Sequence, residues 1–406
     1  MAEESSQAGA SLFGDVVVLD LTSSIRGMHC GKLFADYGAE VLLIEPVDGS
    51  PARQVGPFAQ GRQDRETSLH FIHHNRNKKS VTLNLQSERG QALLRDLASR
   101  VDLLIEDWPV GALEALGLGY EQLHALNPRL VYCSITGFGQ TGPYAHFRTS
   151  NIVEDAMGAL MGITGPVDKP PTMTGAQQAE HITAVHAAFA ASAALLYRDL
   201  HGVGQHVDVS AQECVASVLE NAIEQYTYTG GVRKRAGSRH GTAWPCTVFP
   251  CGDGYIGMCC TQHKEVRAAV LLAEDYELAD DPVLENTFER RARADEFEPR
   301  LVAGYMKYGK AELFHKGQSL GCPIGMTSDA RDLATDPHLN EVGFFAEFQH
   351  PVIGTYKDIA APVYLTQTPG TQHIAAPTLG QHTNEALRVL GLSDADLAAL
   401  RAEGVI

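Results

Sequence analysis

Short apolar runs separated by helical stretches succeed one another from the start of the chain, and this alternation limits the fold more than any other feature. Val16-Val17-Val18-Leu19-Asp20-Leu21 reads as a buried strand, Met28 to Tyr37 as a helix, and Glu40-Val41-Leu42-Leu43-Ile44-Glu45 as a second strand. A helix that carries the chain from one strand to the next makes a βαβ unit, and such units build parallel sheets covered by helices. The pattern continues through strand Ser80 to Leu85, helix Ser87 to Ser99, strand Val101 to Glu106 and strand Leu130 to Ile135. An α/β domain with a mostly parallel sheet is therefore expected, interrupted by an extended loop over residues 49–67.

Parallel sheets of this kind often hold nucleotides, but the local chemistry argues against a nicotinamide cofactor. Glu45 ends the second strand where a ribose-binding acid would stand, yet the first turn, Thr22-Ser23-Ser24-Ile25-Arg26-Gly27, lacks the glycine fingerprint. Gly137-Phe138-Gly139-Gln140-Thr141-Gly142 has the glycine spacing, but Pro143-Tyr144 follows where a phosphate-binding helix should begin. It reads as a glycine loop at the carboxyl end of a strand. Further on, Ala184 to Leu196 is almost entirely Ala, Val, Phe, Ser and Leu, which predicts a buried helix. Glu180 and His181 stand at its mouth. A carboxylate there is favoured by the helix dipole and need be nothing more; its sharper reading is a nucleophile for an acyl-thioester.

With 406 residues, 44% of them hydrophobic, the chain exceeds what one compact domain usually holds. A formal net charge of −17 excludes nucleic acid and anionic membrane as partners, since both are polyanions. No apolar run approaches the roughly 20 residues that span a bilayer, and Met1 to Ala10 is acidic and polar rather than a signal peptide. A cytoplasmic location follows. Eight cysteines in so long a chain read as reduced core thiols, Cys246, Cys251, Cys259 and Cys260 included. Phe71 to Ser80 gathers His73, His74, Arg76, Lys78 and Lys79, either as a solvated turn or as an anion site. His70, His73 and His74 suggest metal, but two are adjacent and no carboxylate accompanies them, so no metal is expected.

Three stretches carry a family resemblance: Asn75-Arg76-Asn77-Lys78-Lys79-Ser80-Val81-Thr82-Leu83-Asn84-Leu85, Gly117-Leu118-Gly119-Tyr120, and Leu126 to Tyr144 with its glycine loop. With Gly202 to Ser210, Val248 to Ile256 and Leu379-Gly380-Gln381-His382-Thr383 in the same order, the chain strongly resembles the class III CoA-transferases, the CaiB/BaiF family, nearly end to end. The resemblance implies a large Rossmann-like domain from both chain ends, residues 1–220 and 333–406, and a smaller α+β domain over 221–332. It also implies a dimer interlocked like two chain links. The implied activity is transfer of CoA from an acyl-CoA to a free carboxylic acid through covalent intermediates on an aspartate. Coenzyme A and acyl-CoA then enter as substrates, with no permanently bound cofactor.

The aspartate position is filled by Glu180, and the glycine usual four residues later is Ala184. Ser150-Asn151 replaces a Tyr-Asp pair, Ala115 a basic residue before Leu116, and Asp107 an asparagine beside the CoA diphosphate. The CoA-contacting positions carried over are Arg26, Lys78, Lys79, Leu83, Asp107, Leu116 and Arg148. Asp107 adds negative charge near a pyrophosphate and Ala115 removes a positive one, so both changes weaken the same site. The resemblance thus points to the degenerate partner of an aspartate-bearing chain, as in benzylsuccinate CoA-transferases of anaerobic toluene degradation. Two alternatives stand beside it: a self-sufficient homodimeric transferase using Glu180, and an acyl-CoA racemase-type isomerase, whose His-Asp pair would fall at Ser150-Asn151.

Overall fold

The computed structural model describes residues 11–370 and 373–406; the ten N-terminal residues, read above as no signal peptide, lie outside them. The described residues divide into two compact units. The larger combines the chain up to Leu160 with Thr174–Glu220 and His338–Ile406; the smaller combines Met161–Met173 with Asn221–Pro337.

In the larger unit β1 (Val17–Asp20), β2 (Glu40–Glu45), β3 (Lys79–Thr82), β4 (Leu103–Glu106), β5 (Val131–Thr136) and β6 (His206–Ser210) form one sheet. All pairs are parallel, in the order β3-β2-β1-β4-β5-β6. Successive side chains point to opposite faces, so a strand buried on both sides must be apolar throughout. Leu19, Leu42, Ile44, Val81, Leu104 and Tyr132 face one core, completed by Leu93, Leu94 and Leu97 of α3 (Glu88–Ala98) and by the C-terminal Leu397 and Leu400. Val18, Val41, Leu103, Ile105, Val131 and Cys133 face the other. There they meet Phe34 of α1 (Ile25–Asp36) and Ala187, Ala191 and Ala194 of the long helix Gln178–His201.

The alanines let backbones approach closely, and α1 does the same with glycine. A Cβ on Gly31 would lie 2.3 Å from the Asp20 carboxylate at the end of β1. The long helix is the one candidate bilayer span among the described residues by length and composition, and its alanine face is buried against α1 and the sheet.

The basic stretch after α2 (Leu69–Asn75) is not a solvated turn. Arg76 is buried and bonds Asp36 of α1 at 3.2 Å, and Lys78 is buried and bonds Asp20 at 2.7 Å. Buried cations persist only where they are paired, and here the carboxylates come from elements distant in sequence. A hairpin that the sequence did not suggest, β10 (Phe345–His350) with β11 (Gly354–Ile359), supplies a further partner, Asp358.

The smaller unit holds β7 (Cys246–Cys251), β8 (Gly254–Cys259) and β9 (Ile324–Met326) in an antiparallel sheet. Around it pack Val266, Leu272, Phe297, Leu301 and Tyr305 from its helices. The expectation of reduced cysteines needs correction at one pair. Cys246 and Cys259 are directly opposed across β7 and β8, with Cα atoms 3.8 Å apart, and form a disulfide. Thirteen residues of sequence hide that juxtaposition until the strands pair. The other six cysteines are free and buried.

Candidate active site

The strand order reverses between β1 and β4, and in open parallel sheets ligands bind at the carboxyl ends of the strands at such a point. A cleft of about 460 Å³ opens there. Its lining includes Arg26, Asp107, Trp108, Gly137, Arg148 and Thr149. The glycine loop after β5 forms part of the wall, and no helix begins at Gly142, as its sequence suggested. A second cleft of about 340 Å³ lies beyond Trp108, bordered by Pro46, Val47, Leu83, Asn84 and Leu85. The Trp108 indole donates to the Leu21 carbonyl at 2.9 Å, which holds the ring between the two.

The N-terminus of α1 opens on the first cleft, and a helix N-terminus is a ready anion site. Asp107 already occupies it. Its carboxylate accepts from the Ser24 N–H at 2.7 Å, the Ser23 N–H at 3.1 Å and the Ser24 hydroxyl. Burial raises the Asp107 pKa above the ordinary carboxylate range, against the lowering pull of these bonds.

Glu180 lies in the first turn of the long helix, half-buried, with Oε2 3.2 Å from the Arg26 backbone N–H. Its own N–H meets the Asn151 side-chain oxygen at 3.4 Å. The Arg26 guanidinium turns the other way and pairs with the fully buried Glu154. Glu154, on the helix Asn151–Met157, also accepts from the Thr149 hydroxyl at 3.1 Å. Its pKa is raised, first by burial and then by the Glu180 charge, while Arg26 pulls it down. The positive charge of Arg26 is therefore already countered on the cleft wall. Arg148 is exposed on that wall, without an ion pair among the described residues.

Arg26, Asp107, Arg148 and Glu180 are thus gathered around the first cleft or against Arg26, while the other candidates lie apart. Lys78 gives its three protons to Asp20 Oδ2, the Met28 carbonyl and Asn75 Oδ1, which leaves none for a ligand. Lys79 bridges Glu40 and Glu385 at the surface. Leu83 borders the second cleft, and Leu116 packs against the same core cluster as Trp108. Glu154 was not singled out from the sequence. No motif marks it, and only the fold brings it to Arg26.

Beside Glu180 stands a group of imidazoles. His29 of α1, His74 of α2 and His181 of the long helix stack edge to face or tilted, with ring centroids 5.0 to 5.7 Å apart. Burial lowers the His29 pKa to about 3, helped by Lys32 and the neighbouring imidazoles. Burial lowers His74 as well, again reinforced by nearby histidines.

Residues 13–383 match CoA-transferase family III. The chain belongs to that family. It is 35% identical to the succinyl-CoA–D-citramalate CoA-transferase of Chloroflexus aurantiacus, over 99% of this chain and all of that one. It is 30% identical to the succinyl-CoA:(R)-benzylsuccinate CoA-transferase subunit BbsE of Thauera aromatica, over 96% of this chain and 97% of that one. A crystal structure of a CaiB/BaiF family protein from Brucella suis superposes with a TM-score of 0.84 at 28% identity, covering 97% of this chain and 99% of its own. Membership in family III fixes the reaction class as CoA transfer, and the six-stranded parallel sheet agrees with the family fold.

Proposed function

We propose that this chain is the supporting subunit of a heteromeric family III CoA-transferase that moves CoA from a succinyl-CoA type donor to a free carboxylic acid. A substituted succinate such as benzylsuccinate is the acceptor class we favour, and a homologous aspartate-bearing chain is the partner. The observation that carries this reading is Asp107. Its carboxylate fills the amides of Ser23 and Ser24 at the α1 N-terminus, the place where a CoA diphosphate would otherwise find its donors. A pyrophosphate entering the same cleft meets a like charge, and Arg26 is already taken by Glu154. That two similar chains are named as subunits supports the reading. In the proposed assembly the two chains interlock, and CoA is a passing substrate.

A second reading has its own support. Glu180 holds a carboxylate at the first turn of the long helix, open enough to reach a thioester, with the Arg26 amide beside it. In that reading Glu180 attacks the acyl-CoA carbonyl, forms a mixed anhydride and releases the CoA thiolate. The thiolate then returns to give the glutamyl thioester, freeing the donor acid. Its extra methylene displaces the carboxylate by about 1 Å, a shift that can cost on the order of 100-fold in rate.

The test is an assay of the purified chain with succinyl-CoA and an aromatic succinate, alone and after assembly with an aspartate-bearing homologue. The expected result is negligible turnover alone, turnover in the assembly, and no loss of the assembly's activity on Glu180→Gln. Robust turnover by the isolated chain, abolished by Glu180→Gln and trapped by hydroxylamine at Glu180, overturns it in favour of the second reading.

A further inference from the structure

Metal ligation was set aside on sequence grounds because two of His70, His73 and His74 are adjacent and no carboxylate accompanies them, but the fold assembles a different set. One ring nitrogen from each of His29, His74 and His181 lies within 4.8 Å of the other two. The three residues come from three helices, so none is adjacent to another in sequence. His73 does not join them, since its Nδ1 is held by Asp358 at 3.1 Å.

Two further observations point to a ligand. Nδ1 of His29 and Nδ1 of His74 are buried without a hydrogen-bond partner, and His74 is only 4% exposed. A buried polar atom left unpaired is costly, and two of them together on one imidazole cluster are a preformed demand for a donor or a cation. His181 supplies the other clue. Its Nδ1 lies 3.1 Å from the Gln177 carbonyl. A carbonyl only accepts, so Nδ1 carries the proton and Nε2 presents a lone pair. A backbone carbonyl fixing the tautomer in this way is the usual support behind a metal-bound imidazole.

We propose that His29, His74 and His181 bind one divalent transition-metal ion of the zinc class. Three neutral imidazoles suit zinc, nickel, copper or cobalt rather than magnesium or calcium, which require oxygen. Metal–nitrogen bonds are about 2.0 to 2.1 Å, so closure asks each ring nitrogen to move by about 1 Å or less, within reach of a side-chain rotation. The nearest positive charge on α1, Lys32, is neutralised by Asp36 at 2.6 Å. The ion would tie α1, α2 and the first turn of the long helix together at the residue next to Glu180, with the fourth position left to water or a small anion. The site does not depend on the subunit reading, because it uses none of the residues of the CoA clefts.

The experiment takes the full chain without a histidine tag, strips it with chelator, and adds zinc or cobalt(II) at pH 7.5. After gel filtration, elemental analysis should find about one zinc per chain. Cobalt(II) should give the intense visible absorption of tetrahedral coordination, unaffected by excess magnesium or calcium. His181→Gln, on a half-exposed turn, should keep the far-ultraviolet circular dichroism of the parent and bind zinc about 100-fold more weakly or worse; His29→Gln is the second variant, read the same way. A chain that retains no metal and gives no cobalt spectrum overturns the proposal, as does unchanged zinc affinity in either folded variant.

Discussion

Glu106 ends β4 at the reversal of strand order, where burial raises its pKa from 4.5 to about 7. Bonds from Ser134 and the Trp108 N–H oppose the rise, while Asp107 and Glu114 add to it. A carboxyl that holds its proton more tightly when folded stabilises the fold fully below the unfolded pKa, and that stability is lost as pH rises through the folded value. From about pH 4.5 to 7 the loss amounts to something on the order of 3 kcal/mol at 1.4 kcal/mol per unit. Asp107 and Glu154 shift in the same direction but are common to parent and variant. Glu106→Gln should therefore flatten this part of the stability profile, measured by urea unfolding at pH 4.5, 6 and 7; parallel profiles for parent and variant would contradict it. The burial of Glu106 was partly legible, since it closes an apolar strand. The pairings of Lys78 with Asp20 and Arg76 with Asp36 were not, because a run of cations reads as surface until the fold brings carboxylates to it.

Elements whose periodicity is set by burial on both faces were the most legible. β1, β2 and β5 fall within about a residue of where their apolar runs place them, β4 begins two residues later than its run, and the glycine loop after β5 starts no helix. The hairpin of β10 and β11 escaped notice because only Phe348 and His350 of its strand residues are buried, so no apolar run marks it. The long helix was legible as buried, though its burial is one-sided. Ala187 and Ala191 are fully covered, whereas Ala193 faces out. Ala187→Leu forces three extra carbons between the helix, α1 and the sheet, and such overpacking typically costs about 1 to 3 kcal/mol. Ala193→Leu, on the side open in the single chain, should stay within about 0.5 kcal/mol of its parent when both substitutions are made in a Phe189→Glu, Leu200→Glu background, where no second chain covers that side. The difference is read from the midpoints of urea unfolding, and equal midpoints for the two variants would show that the alanine face is not closely packed.

At the scale of the whole molecule the open side of that helix raises a separate question. Val185, Phe189, Leu196 and Leu200 are spaced four, seven and four residues apart, which places them on one face. They are 53%, 75%, 61% and 71% exposed in the single chain. A stripe of large apolar side chains along a helix is costly to leave in water and marks an interaction surface. The same alanine-rich segment that fills the core with one face presents the stripe on the other, a doubling that its composition alone does not reveal. Burying one such side chain contributes roughly 1.5 to 3 kcal/mol, or about 10- to 100-fold in a dissociation constant. The parent chain, alone or with a homologous partner, should therefore sediment as an assembly of at least two chains at micromolar concentration. Phe189→Glu combined with Leu200→Glu should shift it to the monomer while leaving its circular dichroism unchanged, since neither side chain reaches the core. A parent that sediments as a stable monomer, or a double variant that assembles as the parent does, would remove this face from the subunit contact.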